Sequence, residues 1–236
     1  MQKFLKDNRD DGMQNFLKNN RDELLRRCTA MVAKRPHRNA TKEQLSNGIP
    51  QFLDQLIATL MAERGGEDSA SLRISGAAGG DAAALSDMGV SAVAHGKSLL
   101  ALGYTIDQVV HDYGDLCQSI TGLAVERDAP FSVDQFRTMN RCLDNAIADA
   151  VTGFTFQRDL DRHMEHIAEE NARLGFLVHE LRNAIGTAKL AVIALERGSL
   201  PISGATGSVL KRSLDSLAAL VDQSVIELRA RSTAPD

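Results

Sequence analysis

The chain contains no tryptophan, only 2 tyrosines and 8 phenylalanines, and no alternating run of Val, Ile or Thr residues of the kind that forms β-strands. This composition argues against a fold built on sheets. Apolar residues instead recur three and four positions apart through most of the sequence, which is the spacing of amphipathic helices. With 43% apolar residues in a chain of 236, a sizeable core can form. We therefore predict an all-α fold.

Other absences exclude whole classes of protein. The longest uninterrupted apolar run spans residues 190–195, far short of the roughly 18 to 20 residues needed to cross a bilayer. Residues 1–10 are already charged and lack the apolar centre of a secretory signal. A balance of 27 basic and 31 acidic side chains, net charge -4, gives no general attraction to nucleic acid. We expect a cytoplasmic protein with neither a membrane nor a nucleic acid as partner.

The sequence also shows no metal or cofactor site. The 3 cysteines, Cys28, Cys117 and Cys142, have spacings that fit neither a disulfide framework nor zinc ligation, so we expect small core residues. Two histidines, His95 and His111, lie on neighbouring predicted helices, where a haem ligand is conceivable. Helical histidines in a polar context are more often capped or solvated, and we predict that for both.

The N-terminal part divides into short helical segments. Residues 1–11 are repeated almost unchanged at 13–23, and we interpret 1–12 as a duplicated start or added tail without function. Five glycines and three serines in 65–80 predict a mobile surface loop. The whole of 13–155 is predicted to be a helical sensor domain. Its four predicted helices span about 14–34, 51–64, 81–101 and 106–127.

The C-terminal part, 156–236, has a coiled-coil pattern. From Ser132, a suitable N-cap, no proline occurs until Pro201, which permits one very long helix or two in near-continuous register. A turn at 201–207 then leads into a second helix, which makes an antiparallel hairpin. A hairpin alone leaves much of the apolar stripe of each helix exposed to solvent, so we predict a homodimeric four-helix bundle. The heptad positions are Leu160, Ile167, Leu174, Leu181, Ala188 and Leu195 in one seam position, Met164, Asn171, Val178, Ile185 and Val192 in the other, with Leu210, Leu214, Leu217, Val221, Ser224 and Leu228 in the second helix.

One short motif carries chemistry. Residues 179–183 read His-Glu-Leu-Arg-Asn. Because Val178 and Leu181 occupy the two seam positions, His179 falls one step outside the seam, and Asn183 lies one turn further on the same face. Spacing alone does not separate a functional histidine from a solvated one. Arg182 is explained equally well as a solvated charge flanking the seam.

This motif, its heptad setting and the following hairpin resemble the dimerisation and phosphoacceptor domain of two-component sensor histidine kinases, over roughly 157–230. In that family the histidine accepts the γ-phosphoryl group of ATP and passes it to an aspartate on a response-regulator receiver domain. The resemblance implies that His179 is the nucleophile, that Glu180 orients or deprotonates its ring, and that Asn183 contacts the kinase domain and places the water that hydrolyses the phosphoaspartate. Histidine suits this role because its ordinary pKa, about 6.5, leaves a free lone pair at cellular pH.

Two features depart from the family pattern. The common motif continues with proline, whereas this chain has Ala184, so a proline-induced kink is not available. Residues 180–236 contain no Asp-x-Gly-x-Gly box of the family's ATP-binding domain. ATP and Mg would therefore be bound by a domain outside this sequence, acting in cis or in trans. We expect either a fragment of a longer kinase, which we favour, or a chain that works with a separate nucleotide-binding partner.

The N-terminal part is similar to the helical sensor module of stressosome co-antagonist proteins, which has a globin-like fold that usually lacks haem. The resemblance spans about 13–150 and implies a sensor joined by a long helix to the phosphoacceptor hairpin. It also leaves an alternative open, in which the chain is a non-catalytic stressosome-type scaffold and the hairpin only oligomerises. The segments that carry this resemblance are 16–17, 20–25, 48–56 and 103–116.

Overall fold

A computed structural model describes residues 12–34, 48–80, 84–129, 131–198 and 201–232, and throughout these ranges the regular structure is helical. The all-α prediction is confirmed. The duplicated residues 1–11 and the basic segment after Lys34 lie outside the described residues. The helices are α1 (Met13–Asn19), α2 (Arg21–Ala33), α3 (Ile49–Arg64), α4 (Asp68–Ser75), α5 (Asp87–Ala101), α6 (Ile106–Glu126), α7 (Val133–Gly198) and α8 (Ala205–Ser232).

Contacts divide the chain into two units, Met1–Asp161 and Arg162–Asp236, and the division falls within α7. None of the described helices is long and apolar enough to cross a membrane. The long helix expected after Ser132 is α7. Its first turn is capped as predicted, since the Ser132 hydroxyl accepts a hydrogen bond from the Gln135 amide at 3.1 Å and the Gln135 side chain accepts one from the Ser132 amide at 3.1 Å.

The core of the first unit is organised around α6. A capping box between Thr105 and Gln108 starts this helix, and apolar residues spaced three and four apart then form one fully buried stripe. The second copy of the duplicated segment, α1, contributes Met13 and Leu17 to the same apolar cluster. The α6 stripe consists of Val109, Tyr113, Leu116, Ile120 and Leu123.

Two predicted elements differ in the structure. The first helix is broken at Asn20, whose side-chain amide donates a hydrogen bond to the Phe16 carbonyl at 2.7 Å and caps α1. The predicted mobile loop at 65–80 is wrong, because it contains helix α4. Side chains from α7 hold this segment: Arg141 donates to the Gly76 carbonyl at 2.7 Å, and Asn145 donates to the Ser75 carbonyl at 2.8 Å.

Helices α5 and α7 cross at very short range within the first unit. A Cβ added at Gly96 would lie 2.0 Å from the carbonyl oxygen of Ala150, and one added at Gly153 would lie 2.7 Å from the carbonyl oxygen of Val93. Both positions therefore exclude any larger side chain. Gly153 is a packing residue, in addition to being a point of weak helix propensity.

The prediction that His95 is capped or solvated is wrong. This residue is 4% exposed, and neither ring nitrogen has a partner among the described residues. Its ring meets the edge of Tyr113, with centroids 6.1 Å apart, and lies against Gly48, where φ is +89°. Desolvation lowers the pKa of His95 to about 4. By contrast, His111 is exposed as predicted, and its Nε2 lies 3.3 Å from an Asp107 oxygen.

The cysteines are free, and two of them are core residues as predicted. Cys28 and Cys142 are buried, whereas Cys117 is half-buried. Desolvation raises the pKa of both Cys28 and Cys142 to about 11. Thiols with pKa values this high are poor nucleophiles and metal ligands at neutral pH.

Candidate functional site

The second unit is a hairpin of α7 and α8. Its turn requires Gly207, since a Cβ there would lie 1.7 Å from the Ile202 carbonyl oxygen. The Ser213 hydroxyl is buried and donates to the Ala184 carbonyl at 2.6 Å, which fixes the register of the two helices. Because the helices are antiparallel, a residue five positions before Ala184 lies about level with one five positions after Ser213. His179 is therefore level with about Ala218.

The face of α7 that packs on α8 differs from the predicted seam. Of the first seam position, Leu181, Ala188 and Leu195 are half-buried, whereas Leu160, Ile167 and Leu174 are exposed. In the second position, Val178 and Ile185 are more than half exposed and do not pack on α8. The place of this second position is taken by residues one position earlier in the chain. The hairpin face of α7 consists of Leu177, Leu181, Ala184, Ala188, Ala191 and Leu195.

The displaced apolar residues form a second stripe that nothing in this chain covers within the described part of the hairpin. We call it the open stripe. On α7 it follows the four- and seven-residue spacing of a heptad pattern, and on α8 a matching set is exposed in the same way. Contiguous apolar surface of this kind is uncommon on a soluble monomer. The open stripe consists of Leu174, Val178, Ile185 and Val192 on α7, and of Leu214, Val221 and Val225 on α8.

The imidazole of His179 is exposed and lies on the side of α7 turned away from α8. Positions 177, 184 and 191 define the direction of α8, and at 100° per residue position 179 points roughly opposite to them. The open stripe lies between these two directions. His179 is thus outside both apolar faces of the helix, as the motif predicted.

The polar residues of the motif are uncommitted. Within the described residues, the side chains of His179, Glu180, Arg182 and Asn183 make no hydrogen bond or ion pair. The backbone carbonyl of Asn183 accepts a hydrogen bond from the Thr187 hydroxyl at 2.9 Å. The side-chain amide of Asn183 makes no hydrogen bond within the described residues. Glu180 is half-buried beside the hairpin face, and the other three are exposed. The four positions named by the sequence are thus close together on one segment, with their functional groups available to a partner.

Two glycines leave the imidazole accessible. Gly175 lies one turn before His179 and Gly186 two turns after it, on the same side of α7. A Cβ at either glycine would meet nothing within 4 Å. Two large apolar side chains, Phe176 and Leu190, are exposed on this side at 67% and 70%. A protein partner could therefore approach the ring along the helix and find apolar surface on both sides of it.

The absence of proline after Asn183 has a visible consequence. Helix α7 continues through Ala184, and the Ala184 carbonyl is shared with Ser213 of α8. The heptad pattern does not predict the hydrogen bond between Ser213 and the motif segment. It places the neighbouring Leu214 in the seam, and Leu214 is exposed.

The described residues contain no candidate metal site. No group of three or more His, Cys, Asp or Glu side chains in them could hold a metal ion. His163 and His166 are exposed, and a carboxylate oxygen of Glu170 lies 3.8 Å from Nε2 of His166. A neutral imidazole can act as a nucleophile without a metal, and an exposed ring next to a carboxylate and an amide is suited to accept and release a phosphoryl group.

Comparison with known proteins finds no matching family model, no matching curated protein and no matching solved structure.

Proposed function

We propose that this chain is the sensor and phosphoacceptor region of a two-component signalling protein. His179 accepts the γ-phosphoryl group of ATP, which is bound by a separate nucleotide-binding domain, and passes it to an aspartate of a response-regulator receiver domain. The observation that carries this proposal is the display of His179: an exposed, unpaired imidazole on the helix side away from α8, flanked by two glycines. The first unit, with its buried α6, is the globin-like sensor in this proposal.

The chemistry assigns a role to each polar residue. The lone pair of the unprotonated ring nitrogen of His179 attacks phosphorus, and the electron pair of the broken P–O bond leaves with ADP. Glu180 takes the proton from the other ring nitrogen. Adjacent helix residues do not face each other, so the Glu180 carboxylate must reach the ring by the length of its side chain or receive the proton through a water. Asn183 positions the water that later hydrolyses the phosphoaspartate of the regulator.

The open stripe supports the homodimer in this proposal. A second copy placing its own open stripe against the first would bury both and produce a four-helix bundle. The stripe and His179 lie on different sides of α7, so a dimer formed in this way leaves the imidazole free. The geometry therefore lets one helix serve pairing and phosphoryl transfer together.

Labelled ATP and a separately supplied histidine-kinase ATP-binding domain test the phosphoacceptor. We expect label on the wild-type chain and none on His179→Gln. His166→Gln is the matched control, because it removes another exposed histidine from the same helix, and it should keep the label. Label on His179→Gln, or on neither protein, would contradict the proposal, and the second result would favour the non-catalytic scaffold.

A receiver domain added to the phosphorylated chain tests Asn183. In Asn183→Ala we expect transfer from His179 to continue and hydrolysis of the receiver phosphoaspartate to be lost. Loss of both steps together would contradict this division of roles.

Sedimentation tests the dimer. Ile185→Asp puts a charge in the open stripe and should give a monomer, whereas Leu190→Asp changes an even more exposed apolar residue outside the stripe and should stay dimeric. A monomeric wild-type chain would contradict the bundle.

A further inference from the structure

Arg182 lies three residues after His179, and both side chains are exposed. Residues three apart on a helix are neighbours on its surface, with Cβ atoms about 5 to 6 Å apart. Helical side chains lean toward the N-terminus, so the surface that Arg182 covers is the turn before it. The guanidinium of Arg182 can therefore reach the surface around the imidazole of His179.

The helix offers Arg182 no carboxylate. The positions three and four residues away hold Val178, His179, Ile185 and Gly186, and Arg182 makes no ion pair or hydrogen bond within the described part of the chain. Two other arginines of α7 do have a carboxylate beside them. The guanidinium of Arg158 lies 3.1 Å from a carboxylate of Asp159, and that of Arg137 lies 3.7 Å from one of Asp134.

We propose that Arg182 binds the phosphoryl oxygens of the group entering and leaving His179. This inference rests on the proposed function and adds a phosphate-binding residue to it. A planar guanidinium can donate two parallel hydrogen bonds to two oxygens of a phosphoryl group, and its permanent charge offsets the negative charge of that group. Because Arg182 makes no hydrogen bond or ion pair within the described residues, it can bind a phosphoryl group next to His179 without breaking an existing contact.

Phosphoramidate, a small phosphoryl donor, probes this site without any ATP-binding domain. The ring nitrogen of His179 forms a new bond to phosphorus, while the P–N bond of phosphoramidate breaks and its electron pair leaves with ammonia. The proton released by the imidazole goes to Glu180 or to water. The rate of this reaction depends on how well the chain binds the anionic donor next to the ring.

The experiment measures phosphorylation of the full chain over a range of phosphoramidate concentrations. In Arg182→Gln we expect the concentration for half-maximal rate to rise about tenfold, the effect of losing one charge-assisted hydrogen bond, with a much smaller change in the maximal rate. Arg182→Lys should recover part of the loss, because it restores charge without the planar pair of donors. Lys189→Gln is the matched control: Lys189 is exposed two turns further along the same side and also lacks a carboxylate three or four residues away, and its loss should change nothing.

The outcomes separate the two claims. If His179→Gln is phosphorylated like the wild type, the phosphoacceptor proposal fails. If His179→Gln is inert but Arg182→Gln reacts with wild-type concentration dependence, the role of Arg182 fails and the phosphoacceptor stands. An equal loss in Lys189→Gln would also overturn the inference, because it would show a general charge effect. Arg182 is exposed, so its replacement should leave the fold and the circular dichroism spectrum unchanged.

Discussion

Acid should destabilise the first unit through His95. The ring is buried, it has no partner among the described residues, and its pKa is lowered to about 4, whereas in the unfolded chain a histidine has its ordinary pKa near 6.5. Below about pH 6.5, His95 therefore binds a proton in the unfolded chain but stays neutral in the folded chain. The contribution of neutral His95 to the free energy of unfolding is complete above its pKa in the unfolded chain. It is lost as the pH falls toward its pKa in the folded chain.

The size of the effect follows from the two pKa values. At 1.36 kcal/mol per pKa unit, the shift from 6.5 to about 4 corresponds to a loss of about 3 kcal/mol across that pH range. The ionisable side chain that touches the ring is Tyr113, whose own pKa is raised by burial and by the carboxylates of Asp112 and Asp149. Tyr113 is thus neutral over the whole range and does not share in the titration.

Urea unfolding at pH 7 and pH 5 measures this loss. The only 2 tyrosines, Tyr104 and Tyr113, are both buried in the first unit and tryptophan is absent, so tyrosine fluorescence reports on that unit alone. We expect the free energy of unfolding to fall by about 2 kcal/mol more in the wild type than in His95→Gln. His111→Gln, at an exposed position, should behave as the wild type. Equal pH dependence in the wild type and His95→Gln would refute the reasoning.

Substitutions at glycines and at Ser213 test the packing. Gly96→Ala should destabilise the first unit by about 2 to 3 kcal/mol in urea, because the new methyl group has no room at the α5–α7 crossing. Gly175→Ala, in open space on α7, should instead be neutral or stabilise by up to about 1 kcal/mol. Gly207→Ala should open the hairpin turn and speed its cleavage in limited proteolysis, whereas Gly186→Ala should not. Ser213→Ala should increase hydrogen exchange in the middle of α8, at a cost of about 1 kcal/mol.

The helices that the sequence predicts well are those whose signals are local. Helix α6 has a capping box at Thr105 and Gln108 and one unbroken apolar stripe, so both its start and its buried face follow from the sequence. Helix α4 has neither signal. It is held by hydrogen bonds from Arg141 and Asn145, which are far away in the chain, and composition alone therefore predicts a loop.

The burial of His95 and the choice of hairpin face depend on long-range packing. His95 is covered by Gly48, a contact that no periodicity reveals. On α7, the residues at 177, 184 and 191 compete with those at 178, 185 and 192 to face α8. The first set includes Ala184 and Ala191, whose small side chains let the helices approach closely enough for the Ser213 hydrogen bond. A heptad pattern specifies that apolar residues pair, but it does not specify with which helix.

The exposure of the motif at 179–183 was predictable, because it depends on the pattern of one helix. Its exposure follows from being out of phase with the apolar positions of a single helix, and the structure has this arrangement. The accessibility given by Gly175 and Gly186 also follows from the sequence once the helix is known to be continuous. The freedom of Arg182 follows in the same way, since no carboxylate occurs three or four residues from it.

Mapping the phosphate on the intact chain addresses the phosphoacceptor most directly. After incubation with an ATP-binding domain and ATP, mass spectrometry at neutral pH should locate one acid-labile, alkali-stable phosphate on the peptide that contains His179, with none on the peptide that contains His163 and His166. Phosphate on that second peptide, or an acid-stable phosphate on a serine or threonine, would contradict the assignment of His179 as the nucleophile.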